Sequence, residues 1–331
     1  MSGYHAIDMH CDTLMKAYLN QGDTADIYEM PEADIDLKRL VSGGAMAQFL
    51  AIFMIPQVVY SEYLHRDPIP EETYIAGCRQ VFENTLKRYP DLAARACNAD
   101  DVERNFKAGK FSAILTMEDG VAVHDDMKNL DRYYQMGVRA LSLTWNFENC
   151  IGFPNSKDPE IMAKGLKPFG IEAIKHMQDI GMLVDVSHLS DGGFWDCVKY
   201  CTKPFVATHS NCRALSPHTR NMTDDMIKAL GKAGGVMGIN FGPEFLNESP
   251  ENKNSTIERM VAMAQHEKEL AGVDVIAIGT DFDGIEGNLE VNGPDKMHLL
   301  CDALIRGGFS TADVEKIMCG NVLRVMKEAV K

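Results

Sequence analysis

Three histidines and several carboxylates stand at the C-terminal ends of short apolar runs, and these are the residue types that hold divalent cations. The runs end in His10-Cys11-Asp12, at Glu118, in Asp185-Val186-Ser187-His188, in Thr208-His209 and in Thr280-Asp281-Phe282-Asp283. Each group alone has a plain structural reading. Asp12 can accept a hydrogen bond from His10, Glu118 can cap a following helix, and His188 and His209 can be satisfied core histidines. Taken together on one sheet, they would bury charges whose isolation is costly, and a shared cation removes that cost. Nitrogen and oxygen donors without thiolates suit Zn²⁺, with Mn²⁺ or Co²⁺ as alternatives. His10 and Asp12 are two apart and leave one strand face, whereas Cys11 leaves the other. Five donors (His10, Asp12, Glu118, His188 and His209) exceed one tetrahedral set. Two ions sharing a carboxylate accommodate all five, and such a pair makes a water acidic enough to attack an acyl carbon at neutral pH.

Elements must exist to bring these residues to one place. Apolar runs rich in β-branched residues span 6–12, 46–55, 112–118, 140–144, 183–188, 205–209, 236–241 and 275–281. They lack alternation, as strands buried on both faces do. Helical patterns lie between them, at 71–89, 166–180, from 223, at 257–270 and at 295–305. Gly181 stops the second, and Thr223-Asp224-Asp225 opens the third with a cap and an acidic first turn. Eight strands alternating with helices predict an α/β fold, a closed (β/α)8 TIM barrel, as one domain over 1–331. In such a barrel all strand C-termini meet at one mouth. A doubly wound open sheet would call for a glycine fingerprint after the first strand, and none follows Asp12. Two long polar stretches, 57–72 and 147–164, are expected to overhang the mouth.

The chain has 331 residues, 45% of them hydrophobic, enough to bury a large core. A formal charge of −15 disfavours nucleic acid and anionic membranes as partners. Residues 1–12 carry no basic segment followed by an apolar run, so no signal peptide is expected. Residues 318–331 read as an amphipathic helix. The nine cysteines are odd in number and scattered, which fits a reduced, cytoplasmic protein. Cys197 and Cys201 share a helix face and are read as packing.

Asp8-Met-His-Cys-Asp-Thr-Leu14, Met117-Glu-Asp-Gly120, Asp185-Val-Ser-His188, Thr208-His-Ser-Asn211, Arg220-Asn-Met-Thr-Asp-Asp225 and Gly279-Thr-Asp-Phe-Asp-Gly284 occur in this order. The chain resembles, over most of its length, the membrane dipeptidase (renal dipeptidase-like, M19) family of the amidohydrolase superfamily. The resemblance implies two zinc ions, one on His10, Asp12 and Glu118 and the other on Glu118, His188 and His209, with Glu118 bridging. It implies Asp281 as the catalytic proton carrier and Arg220 as the group that grips a substrate carboxylate; Asp283, two residues on and so expected on the same face as Asp281, is the fallback. It also allows a homodimer and a C-terminal D-residue in the substrate. Many amidohydrolases begin with His-x-His and bridge through a strand-four lysine; here strand one carries His-x-Asp and 140–144 has no lysine.

One position departs from the family. Where its members commonly carry Leu-Thr-His after strand four, this chain has Leu143-Thr144-Trp145-Asn146. Trp145 cannot carry a proton, while Asn146 could donate to a developing oxyanion. Trp145 and Asn146 are therefore counted with Arg220 as substrate-contacting candidates. Of the remaining histidines, His218 is singled out because it neighbours Arg220. The function expected is hydrolysis of small dipeptides. Its alternatives are a metal hydrolase of N-acyl amino acids or lactones, motivated by the missing histidine, and a metal-binding protein without catalysis.

Overall fold

The computed structural model describes residues 5–331. Residues 1–4, the start of the segment read above for a targeting signal, lie outside the described residues. Eight parallel strands carry the fold: β1 (Ile7–Asp8), β2 (Ala47–Phe53), β3 (Phe111–Glu118), β4 (Ala140–Ser142), β5 (Leu183–Asp185), β6 (Val206–Ala207), β7 (Val236–Ile239) and β8 (Ile276–Ile278). Neighbours follow the order β2-β1-β8-β7-β6-β5-β4-β3, and β2 pairs again with β3, which closes the barrel. That closing seam is the longest, running from Ala47↔Ser112 to Phe53↔Glu118. It sets Phe53 beside Glu118 at the mouth.

Every residue of β2 and β3 is buried, which is why the sequence shows no alternation there. Inside the barrel, Ile7, Phe49, Ile114, Leu183, Val206 and Val236 pack with Val322, Val325 and Met326. The last three belong to the helix Asn321–Ala329, which plugs the N-terminal end of the barrel. The opposite, C-terminal mouth is left for chemistry. Outside, helices lay apolar faces on the sheet. Pro168–Ile180 buries Ala173, Ile174 and Met177, and ends at Gly181, whose φ of 88° is the left-handed turn glycine tolerates. The Thr223 hydroxyl accepts from the Met226 amide and caps Asp224–Lys232, as its sequence predicts.

All eight predicted strands exist; seven are shorter than expected, and Phe111–Glu118 begins one residue early. The run 6–12 pairs only over Ile7–Asp8, 183–188 only over Leu183–Asp185, and 275–281 only over Ile276–Ile278. Glu118 is the last paired residue of its strand, while the other chemistry-bearing residues lie just past theirs. His188 and Asp281 have φ of 69° and 64°, a conformation no strand contains. A short outer strand, Ala93–Arg95, also pairs with β3 outside the barrel and was not anticipated. The stretch 57–72 contains a helix, Gln57–Glu62, and 147–164 contains another, Pro159–Met162. Among the described residues no helix is long and apolar enough to cross a membrane.

Candidate metal centre

Two buried aspartates brace the mouth. Asp8, at the end of β1, accepts from the Thr280 amide (2.8 Å), the Thr280 hydroxyl (2.7 Å) and the His10 amide (3.3 Å). Asp185, at the end of β5, accepts from the Thr208 amide (2.9 Å), the Thr208 hydroxyl (2.6 Å) and the Ser187 amide (3.0 Å). The Ser142 hydroxyl also donates to Asp185. Each carboxylate thus ties its own strand end to a neighbouring one, β1 to β8 and β5 to β6, just before the residues with ligand chemistry.

Past these braces the five predicted donors converge. Glu118 turns one oxygen each way. Its Oε1 lies 3.0 Å from His188 Nε2 and 3.5 Å from His209 Nε2, while Oε2 lies 3.4 Å from His10 Nε2. His10 Nε2 is also 3.7 Å from Asp12 Oδ2. Three overlapping groups result, His10-Asp12-Glu118, Glu118-His188-His209 and His10-His209-Asp281, each with its donor atoms within 4.8 Å of one another. All are buried, and Glu118 belongs to the two that the sequence predicts.

The tautomers decide what these atoms can bind. His188 Nδ1 faces the Asn146 Oδ1 at 3.0 Å, an acceptor, so Nδ1 carries the proton. His209 Nδ1 sits 2.7 Å from the Thr208 hydroxyl, which already donates to Asp185 and must accept here. Both Nε2 atoms are therefore bare lone pairs, 3.1 Å apart and facing the same carboxylate oxygen. Burial pushes His188 down to about 4, with the Arg220 charge adding to it. Burial, followed by the charges of His10 and Arg220, pushes His209 well below its ordinary value. Neutral imidazoles are what a cation needs. His10 Nε2 and Asp12 Oδ1 are buried with no hydrogen-bond partner. Burial works against charge on His10, but Glu118 and Asp12 together outweigh it and hold the ring well above its ordinary value. Against its own burial, Glu118 is held well below the usual carboxylate range by His10 and its other histidine neighbours. Burial pushes Asp12 up to about 6. The donor set, its orphaned atoms and its charge pattern fit a divalent metal.

Asp281 stands beside this cluster, its Oδ1 3.7 Å from His10 Nε2. Its other oxygen accepts from Asn240 Nδ2 at 2.8 Å. Burial pushes Asp281 up to about 7. The space here is tight: a methyl group at Gly284 would run into both Asp12 and Asp281 carboxylates. Arg220 is buried. Its Nη1 donates to Ser210 Oγ and its Nη2 to the His209 carbonyl, each at 2.9 Å, and its Cζ lies 5.9 Å from the Phe245 ring centroid. Its Nε has no partner. Among the described residues it makes no ion pair.

The other predicted residues are placed as follows. Trp145 is half-buried with its ring centroid 6.1 Å from that of His188, and 5.0 Å from that of Phe53. Asn146 is exposed, and its amide oxygen is spent on His188 Nδ1. Asp283 is not in the site. It accepts from Thr13 Oγ1 (2.6 Å), Lys16 Nζ (3.0 Å) and the Asp34 amide (2.8 Å), so it anchors a helix and a loop. The left-handed backbone at Asp281 breaks the two-residue period that put the two aspartates on one face. His218 accepts from the Arg220 amide at 3.1 Å, and burial lowers it to about 4. Sequence reasoning passed over Asn240, Ser210 and Phe53. Asn240 follows β7 and Phe53 ends β2, the same signal that found the others, but neither residue type suggested a ligand.

The family described as membrane dipeptidase (peptidase family M19) matches residues 1–331. The dipeptidase tcpJ of Claviceps purpurea is 30% identical over 297 residues, covering 89% of this chain and 69% of its own length. Among solved structures, the M19 metallopeptidase dipeptidase AC superposes with a TM-score of 0.88 at 23% identity, covering 99% of both chains. A metallopeptidase from Rhodobacter sphaeroides, solved with a phosphinate mimic of the dipeptide L-Ala-D-Ala, gives 0.87 at 22% identity over 98% of this chain and 99% of its own. At these identities the two structures speak for the fold alone.

Proposed function

The chain belongs to the membrane dipeptidase family, peptidase M19, and from that premise we propose that it hydrolyses small dipeptides with two zinc ions held by His10, Asp12, Glu118, His188 and His209. The observation that carries the reading is Glu118, whose two oxygens serve two separate donor sets. When bound, such ions supply an acidic water and a polarised carbonyl oxygen. Mn²⁺ or Co²⁺ would suit the same donors.

The chain's own residues do the rest. Arg220 holds the substrate carboxylate, since a buried guanidinium without a counter-ion is an anion site waiting for its anion. Asp281 moves the proton. Hydrolysis forms a carbon–oxygen bond and breaks the carbon–nitrogen bond, and the water's proton must reach the leaving amine. Asp281, near 7 and fixed through one oxygen by Asn240, can take that proton on its other oxygen and return it. Asn146 orients His188 from behind. Trp145 takes the place of the family histidine, so polarisation of the scissile carbonyl falls to the metal-holding side of the site. The charge of −15 and nine free cysteines favour a cytoplasmic setting and a small-molecule partner.

The test is a substrate panel on protein loaded with zinc, with metal content measured alongside. Free dipeptides should be cleaved, and the same compounds as C-terminal amides cleaved far less. Turnover of N-acyl amino acids or lactones but of no dipeptide would replace this reading, and the Trp145 departure favours that alternative over any other.

A further inference from the structure

Phe53, Trp145 and Phe147 form a continuous aromatic surface at the mouth. Trp145 lies 5.0 Å from Phe53 at 60° and 5.9 Å from Phe147 at 45°, measured between ring centroids. Phe53 is buried at the end of β2, Trp145 is half-buried, and Phe147 is 47% exposed. The surface thus runs from beside Glu118 outward to solvent. We propose that it receives the side chain of the substrate's N-terminal residue and selects a large apolar or aromatic one. This rests on the dipeptidase reading above.

Position around the barrel commits the wall to that end of the substrate. Phe53 ends β2 and Trp145 follows β4, on either side of β3, which carries Glu118. Arg220 lies on the far side of the cluster, bonded to the His209 carbonyl after β6 and closest in charge to Asp281 after β8. A dipeptide whose carboxylate sits at Arg220 and whose peptide carbonyl sits at the cluster must point its N-terminal residue across Glu118 and His188, toward Trp145. The chemistry there is apolar. Asn146 spends its amide oxygen on His188, and Glu148 is paired with Lys167 at 2.7 Å. A charged side chain would lose hydration and gain no partner, whereas an aromatic one gains offset or tilted contact with three rings.

The experiment compares kcat/KM for Gly-Ala, Leu-Ala, Phe-Ala and Lys-Ala in wild type, Phe147→Ala and Trp145→Ala. Phe147 is exposed, so its variant keeps the test open should Trp145→Ala fold poorly. Wild type should prefer Phe-Ala over Gly-Ala by about 10-fold or more, the scale of apolar pocket discrimination. Lys-Ala should fall near or below Gly-Ala. Each variant should lower the Phe/Gly ratio, Trp145→Ala nearly to one, while the preference for free dipeptide over its amide persists. A flat wild-type series, or a ratio that both variants leave intact, overturns the aromatic wall and leaves the dipeptidase reading standing. If no dipeptide is cleaved at all, both fall together, and that result is distinct from a flat series.

Discussion

Replacing Arg220 by Met gives the sharpest test of how the site recognises its substrate. A guanidinium offers five N–H donors. Here two are spent, on Ser210 Oγ and the His209 carbonyl, and Nε, though buried, is unpartnered. Burial disfavours the Arg220 charge, and the carboxylates of Asp281 and Glu118 only partly offset this. A substrate carboxylate at the free donors makes charge-assisted hydrogen bonds, together about 1.5–3 kcal/mol. That is roughly 10- to 150-fold in kcat/KM. Wild type should prefer a free dipeptide over its amide by about this factor, and Arg220→Met should bring the ratio close to one by losing the free dipeptide. Met also abandons the His209 carbonyl, so metal content must be measured on the same sample. Thermal stability should not fall, because the change removes a buried cation that lacks a counter-ion. If both substrates slow equally with metal content intact, Arg220 serves to hold His209 and the carboxylate argument is wrong.

Asp281→Asn should keep its metal and lose about 10²-fold or more in kcat, the usual worth of a proton carrier; a collapse of metal content would make Asp281 a ligand through the oxygen that faces His10. Asn146→Ala removes the acceptor of His188 Nδ1 and should weaken metal affinity by roughly 10- to 100-fold in a chelator competition, and an unchanged affinity would remove Asn146 from the support of His188. Glu267 is fully buried beside Cys212, with one oxygen unpartnered, and burial pushes it well above the usual carboxylate range. Its contribution to folding is present below the ordinary Glu value of about 4.3 and is lost as pH rises through its folded-state value. Glu267→Gln, which mimics the protonated acid, should therefore raise Tm at pH 8 and change it little at pH 4; equal shifts at both pH values would refute this.

The five donors were legible because each ends an apolar run, and a parallel barrel gathers such ends whatever the loops do. Strand lengths were not legible. His188 and Asp281 look like strand residues by neighbourhood, yet both have positive φ, and the residues just before them, Ser187 and Thr280, are bonded to Asp185 and Asp8. The same twist separated Asp283 from Asp281. Asn146 was read as a donor to substrate; that its amide oxygen meets His188 Nδ1 could not be seen from spacing. Phe53 needed the β2–β3 register to be seen beside Glu118.

The paired braces at Asp8 and Asp185 bear on which ion the protein ends up holding. Both clamp strand ends through threonine hydroxyls and backbone amides that never touch the cation positions. The donors are therefore aimed in part by hydrogen bonds that involve no cation. Among ions that accept nitrogen and oxygen, intrinsic affinity alone would favour those late in the Irving–Williams order. With the geometry held by hydrogen bonds, the cell's free-metal composition becomes part of the specification of this enzyme.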